Sequence, residues 1–397
     1  MIGAGVFAAF APAAAAAGAG LLTGLAVAGV VAYCNATASA QLAATYPVSG
    51  GAYVYGRKRL GEWWGFAAGW GFAVGKTASC AAMAITFAAY VAPEGWRKPV
   101  AIAAVLGLAA VNYRGVTRTA RLTRVLLVIV LAVLALVVIG CFTGGTADAG
   151  RLSDWAGPEV SWHGVLQSAG LLFFAFAGYA RIATLGEEVR DPQRTIPRAI
   201  VTALAIALVV YAVVAVSALL VLGPERLAGT DAPLADAARA SGWAWAAPVV
   251  GVGAAAASLG ALLALMAGVG RTLLAMARER DLPTWLAGVH RRFQAPHHAE
   301  IALAVAVCVL ILIADIRDAI GFSSFGVLIY YLIANLAAFT QPRERRRYPR
   351  ALQALGAIGC VTLAATLPLS AVLGGLAVFA VGFGYRGIRL ATRTKKA

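Results

Sequence analysis

Apolar runs long enough to cross a bilayer recur along the whole chain, and nothing else in the sequence constrains the fold as strongly. They cover roughly residues 18–43, 63–91, 98–113, 123–143, 163–185, 197–223, 243–277, 300–316, 321–340, 350–369 and 370–388, with a half-length apolar piece at 1–17 before them. Backbone polar groups in hydrocarbon must bond internally, and these runs are far too long for barrel strands, so each reads as a helix. The sequence therefore predicts an all-α polytopic membrane protein. Charged residues make up only 13% of the chain, about half the usual share for a soluble protein. An ordinary soluble enzyme, a secreted disulfide scaffold and a nucleic-acid-binding domain are excluded on that balance.

The formal net charge of +16 is a matter of topology. Of the 33 Lys and Arg residues, 25 fall in one alternating set of loops, 6 in the opposite set, and two, Lys76 and Arg181, inside apolar segments. This is the positive-inside pattern, and it predicts that the rich side, with the C-terminus, faces the cytoplasm. Partners from this reading are the bilayer itself, including its anionic lipid, and no nucleic acid. The five cysteines, Cys34, Cys80, Cys141, Cys308 and Cys360, each stand alone in an apolar run, as buried small hydrophobes do.

Motifs for enzymatic chemistry fail on inspection. There is no Gly-x-Ser-x-Gly, and the four histidines have no metal-type spacing to acidic or Cys partners. Gly75-Lys76-Thr77 would end a phosphate-binding loop only with a glycine at position 70, which is Trp70. Gly3-Ala4-Gly5 lacks the third glycine and the preceding strand of a dinucleotide site. Asn35-Ala36-Thr37 fits a glycosylation sequon but falls within a predicted helix. No cofactor is expected, and the energy for any transport must come from gradients.

Two glycine breaks carry the functional reading. One is Gly3-Ala4-Gly5 in the first apolar piece; the other is Phe173-Phe174-Ala175-Phe176-Ala177-Gly178-Tyr179 in the sixth helix. Five helices separate them, the spacing of a five-plus-five inverted repeat. Half-helix N–H groups exposed at such breaks can bind a carboxylate, and freed carbonyls can bind an ammonium, so a zwitterionic amino acid is the natural ligand. The alternative is that these glycines only let helices pack closely.

Here the sequence resembles the amino acid–polyamine–organocation (APC) permease family over nearly its whole length. The resemblance rests on Met1 to Phe7, Tyr46 to Tyr55, Leu60-Gly61-Glu62, Gly69-Trp70 and Asn112 to Val116. It rests further on Phe174 to Tyr179, Glu187 to Pro192, Ile196-Pro197-Arg198, Gly270-Arg271, Ala275 to Arg278, Leu282-Pro283 and His290. It implies a LeuT-type fold: a first repeat at 1–143, a second at 163–340, and two additional helices at 350–391. It also implies that the Gly3, Ala4 and Gly5 backbone receives the substrate carboxylate, and that carbonyls around Met1, Phe174 and Ala177 receive the amino group. Ala175 and Gly178 belong to the same site, and Phe174 falls where the family often has an aromatic gate. The family's first helix has a half before this Met, so the expectation is a start codon placed too late or a truncated product.

Proton-coupled members of the family can carry a Lys on the fifth helix, where this sequence has Val130. Instead Lys76 lies 14 residues beyond Glu62, about 21 Å along a helix axis and so near mid-bilayer. An intramembrane cation is costly and usually lines a polar cavity, which suits proton coupling or sensing of substrate charge. A structural ammonium on free carbonyls is the other reading. Arg181, three residues beyond Gly178, either gates the inner vestibule or snorkels. Glu187 and Glu188 are either solvated interfacial charge or an inner-gate pair with Arg57 or Arg271. Gly50-Gly51 with Tyr53 and Tyr55 reads as a short sealing loop or as a turn before an interfacial helix.

The sequence thus predicts a secondary transporter of amino acids in the cytoplasmic membrane, a proton symporter or an exchanger. Helices one, two, six and seven would rock against three, four, eight and nine. Phe174 with the small Ala175 and Ala177, and no acidic residue nearby, leans toward neutral or aromatic substrates; polyamines and cationic amino acids remain open. A non-transporting sensor or partner subunit is the alternative from a different class.

Overall fold

The structure is a computed structural model that describes residues 2–46, 50–114, 120–156, 161–178, 191–293 and 295–394. Among them there is no strand. The first half holds α1 (Gly5–Ala8), α2 (Phe10–Ala17), α3 (Leu21–Thr45), α4 (Ala52–Arg59), α5 (Glu62–Val91), α6 (Arg97–Tyr113) and α7 (Ala120–Thr143). The second holds α8 (Trp162–Phe176), α9 (Pro192–Ala228), α10 (Pro233–Ala240), α11 (Ala247–Arg278), α12 (His297–Ile313) and α13 (Ile316–Phe339). Two further helices follow, α14 (Arg350–Thr366) and α15 (Leu369–Thr394). Among the described residues, seven helical stretches are long and apolar enough to cross a membrane, and α8, α12 and α14 are shorter apolar helices. The chain is a multi-pass all-α membrane protein.

Local chemistry sets the boundaries. Ala9 keeps helical backbone, so α1 and α2 run on as one helix from Gly5. Gly18 then takes φ 55°, a left-handed conformation that glycine adopts without strain, and turns the chain into α3. Ser161 caps α8, its Oγ accepting from the Gly164 N–H at 3.0 Å. Asp315 caps α13 in the same way at 2.8 Å.

Helices five places apart in the predicted order pack together. α2 lies on α8, α3 on α9, α5 on α11, and α6 on α12. The cross pairs are mirrored as well: α5 packs on α13, and α11 on α7. The helices of the first half thus pair in order with those of the second. The α5–α13 seam is built from small residues. A Cβ on Gly75 would meet Ser323 O at 2.9 Å, and one on Gly326 would meet Gly71 O at 2.7 Å and Gly75 Cα at 2.8 Å. Ser79 and Ser323 share a hydrogen bond at 2.6 Å beside them. Without a hydrophobic drive between helices in lipid, such close backbone approach and interhelical hydrogen bonding supply the association energy.

One detail differs from the sequence-based expectation. The stretch 224–242 looks like a polar loop because it carries Pro224, Glu225, Arg226, Asp231 and Asp236, yet it folds as α10, with Pro233 in the first turn and Leu234, Ala235, Ala237 and Ala238 buried. Helix α9 is not one rod: Gly223 at φ 71° breaks it just before Pro224. The Gly50-Gly51 element resolves as positive-φ glycines leading into the short α4, whose Tyr53 and Tyr55 are buried. The Asn35 sequon is also fully buried, where Asn35 Oδ1 accepts from Asn335 Nδ2 at 2.6 Å.

Candidate functional site

The two glycine breaks face one cavity of about 250 Å³. Gly3, Ala4 and Gly5 form one wall, at the start of α1. Phe174, Ala175, Ala177 and Gly178 form the facing wall, at the end of α8. The breaks touch closely: a Cβ on Gly5 would lie 2.6 Å from Ala175 Cα, so only glycine permits this crossing. Helix α8 ends at Phe176, and Ala177 has already left helical geometry at ψ 1°. The last carbonyls of a helix have no intrahelical partner. Two of them are satisfied from other helices: Tyr211 Oη of α9 donates to Ala175 O at 3.0 Å, and Lys76 Nζ donates to Ala177 O at 3.2 Å.

Lys76 therefore joins the cavity from α5 and is the sole charged side chain among its described lining residues. It is 5% exposed. The remaining walls are apolar, with Phe72, Met83, Leu126, Leu127, Val130 and Leu265 among them. Ser79 and Thr123 add hydroxyls. Val130 lines the cavity at the place where related proton-coupled proteins are expected to carry Lys. Thus the structure gathers Gly3, Ala4, Gly5, Lys76, Phe174, Ala175, Ala177 and Gly178 into one site. Met1, Arg181, Glu187 and Glu188 lie outside the described residues.

At the opposite face from the basic loops, Tyr90 of α5 ties down the first helix. Its Oη donates to Phe7 O at 2.9 Å and accepts from the Leu234 N–H of α10 at 3.2 Å. The Phe7 and Tyr90 rings meet edge to face at 5.7 Å. On the basic face, Asp281 is the hub. Arg280 takes φ 59°, and the Asp281 N–H folds back to Met276 O at 2.8 Å, which tucks the carboxylate beneath the end of α11. There it accepts from Tyr53 Oη at 2.9 Å, from Arg57 at 3.0 Å, and from Arg386 of α15. Arg57 also pairs with Glu62 and Glu279 at 3.4 Å each, and Arg386 with Glu62 at 3.3 Å. Burial, and then the Asp281 charge, push the Tyr53 phenol well above its ordinary value, so it stays a donor.

Sequence reasoning missed Tyr90, Tyr211, Asp281 and Arg386. The Leu282-Pro283 motif borders Asp281 and was the nearest signal. Nothing local announces the partner of Tyr90 or of Tyr211.

Comparison with known proteins is consistent with this architecture. Residues 1–394 match the family described as amino acid permease. An uncharacterized transporter of Mycobacterium tuberculosis is 60% identical over 389 residues, covering 98% of this chain and 88% of that protein. The cationic amino acid transporter 7 of Arabidopsis thaliana, described as chloroplastic, is 30% identical over 85% of this chain and 62% of its own length. A branched-chain amino acid permease of Bacillus subtilis is 23% identical over 90% of this chain and 81% of its own length. With a match spanning nearly every residue, laid over two broken helices that meet at one cavity, the chain belongs to the amino acid permeases of the APC superfamily, and it is a transporter, not an enzyme.

Proposed function

We propose that this permease carries one neutral amino acid per cycle across the plasma membrane by alternating access, with the basic face and the C-terminus in the cytoplasm. The observation that carries the reading is the cavity between the two breaks. Its α1 end offers helix N-terminal N–H groups to a carboxylate, and its α8 end offers carbonyls to an ammonium. Ala177 O retains a second lone pair beside its bond from Lys76. Repeats at 1–143 and 163–340 provide the two halves.

The relatives are named for cationic and for branched-chain amino acids. The cavity favours the second kind. Its sole charged side chain among the described lining residues is a cation, its described walls are apolar, and about 250 Å³ sits just below the usual ligand-pocket range of roughly 300–1,000 Å³. A second cation beside Lys76 would meet repulsion with no carboxylate among the described lining residues to offset it. Phe174 and Phe72 close over aliphatic or aromatic carbon by burial.

The Lys76–Ala177 bond also crosses the interface that must move. α5 belongs to the scaffold of helices three, four, eight and nine, whereas α8 belongs to the rocking bundle. Rocking makes and breaks this bond, which places Lys76 at the junction of substrate, cavity and motion.

Calorimetric titration of the purified protein tests the assignment. Leucine and phenylalanine are expected to bind, whereas arginine, leucinamide and N-acetylleucine bind at least about tenfold more weakly, a difference of about 1.4 kcal/mol. Equal affinity for arginine and leucine would remove the neutral selectivity. Equal affinity for leucinamide would remove the carboxylate role of the first break.

A further inference from the structure

On α12, which packs against α5, α6 and α11, an acidic group is buried without full pairing. Glu300 stands one turn into α12 and is 3% exposed. Its Oε2 has no hydrogen-bond partner among the described residues. Three neighbouring helices enclose it. Asn112 of α6 hydrogen-bonds its carboxyl group, and also donates to Leu263 O of α11 at 3.2 Å. From α11, Gly270 makes the room: a Cβ there would lie 2.8 Å from Glu300 Oε1. Arg271 of the same helix is within electrostatic reach. From α5, Cys80 is within electrostatic reach of it, and Cys80 lies one helical turn beyond Lys76 on the same face. Among the described residues, Arg271 is the charged group within electrostatic reach of it.

Toward the basic face, titratable rings cluster near the start of α12 and the end of α6. His297 lies three residues before Glu300 on α12, and Tyr113 follows Asn112 on α6. The His297 ring meets His290 at 5.5 Å, His298 at 4.1 Å and Tyr113 at 6.0 Å. These histidines do not gather with acidic or Cys groups into a metal-binding set among the described residues.

We propose that Glu300 is a proton-binding site of the transport cycle, exchanging its proton with the basic face through the His290–His297–Tyr113 cluster and with the opposite face through the Lys76 cavity, with Cys80 between Glu300 and Lys76. A buried carboxylate with an unpaired oxygen is costly, and a proton on Oε2 removes the cost by giving a neutral acid. That proton comes from bulk water on one side of the membrane and returns to bulk water on the other, so no further reactant is needed. Cys80 is within electrostatic reach of both Glu300 and Lys76, so a charge gained or lost at Glu300 acts in the low-dielectric core next to Lys76. Because Lys76 holds the bundle at Ala177 O, proton occupancy at Glu300 biases which way the bundle rests.

The inference rests on the carrier reading above, and one set of proteoliposome measurements separates the two. Wild-type protein, Glu300→Gln and Glu300→Asp are each assayed for leucine counterflow without a pH gradient and for leucine accumulation driven by an imposed one. Wild-type counterflow establishes the carrier. Glu300→Gln is expected to keep counterflow within about twofold while losing about tenfold or more of the gradient-driven accumulation, and to make counterflow insensitive to pH. Glu300→Asp is expected to restore accumulation with a displaced pH midpoint. The proposal is overturned if wild-type protein shows counterflow but no gradient-driven accumulation, or if Glu300→Gln accumulates leucine as wild type does. It is equally overturned if Glu300→Gln inserts normally but loses both activities, or if it fails to fold and Glu300→Asp keeps the wild-type pH profile. Absence of wild-type counterflow would count against the carrier reading itself.

Discussion

Replacing Lys76 with Met lowers amino acid uptake by about ten- to a hundredfold in protein that inserts at normal levels. The size follows from the contact. Hydrogen bonds to charged groups contribute roughly 1.5–3 kcal/mol, and about 1.4 kcal/mol corresponds to a factor of ten. Lys76 Nζ satisfies a carbonyl that the end of α8 leaves without a partner, so Met removes the bond and strands Ala177 O at the break. Methionine nearly matches the lysine stem in length and apolar character, so packing against α5's neighbours is retained. Lys76→Arg separates charge from titration, because a guanidinium stays charged and cannot give up its proton. It is expected to keep the protein folded but not to restore uptake. Uptake by Lys76→Met at the wild-type rate, with unchanged pH dependence, would reduce Lys76 to a structural ammonium.

The second large effect concerns folding. Gly326→Val abolishes a monodisperse folded protein in detergent. A Cβ at 326 would press on Gly71 O at 2.7 Å, Gly75 Cα at 2.8 Å and Gly75 N at 2.9 Å, all of them backbone atoms of the facing helix. Backbone cannot rotate aside as a side-chain tip can. The cost therefore exceeds the about 1–3 kcal/mol typical of added methylenes in a packed core. Helices α5 and α13 would have to separate, and the Ser79–Ser323 bond would go with them. Gly107→Ala is the control, since nothing lies within 4 Å of a Cβ there. It should leave the melting temperature unchanged or raise it, as alanine favours a helix over glycine by about 1 kcal/mol. A folded Gly326→Val protein with wild-type melting would contradict the seam.

Much of this was legible in the sequence, and the part that was not has a common cause. Run length and the glycine breaks gave the helices and the end of α8 near Phe176 and Gly178, because both are local properties of the backbone. The depth of Lys76 followed from helical rise alone. What it bonds did not, since Ala177 lies 101 positions away and comes near only through packing. Asp281 and Arg386 met the same obstacle, being 105 positions apart. Glu300 was hidden differently. It stands at the start of an apolar run, where a carboxylate ordinarily meets water, and the glycine at 270 lets the helices close over it. The loop at 224–242 misled because its charges obscure the four buried apolar residues of α10.

Counterflow in proteoliposomes is the most direct measurement of the central claim, that the cavity between the two breaks carries a neutral amino acid across the membrane. Each labelled amino acid of a panel is assayed against the same unlabelled compound inside. The account predicts exchange of leucine, other branched-chain amino acids or phenylalanine, with arginine and lysine slower by about tenfold or more. Exchange confined to arginine, lysine or polyamines would contradict the assigned selectivity. No exchange of any amino acid, by protein that inserts and melts as a folded species, would contradict the carrier.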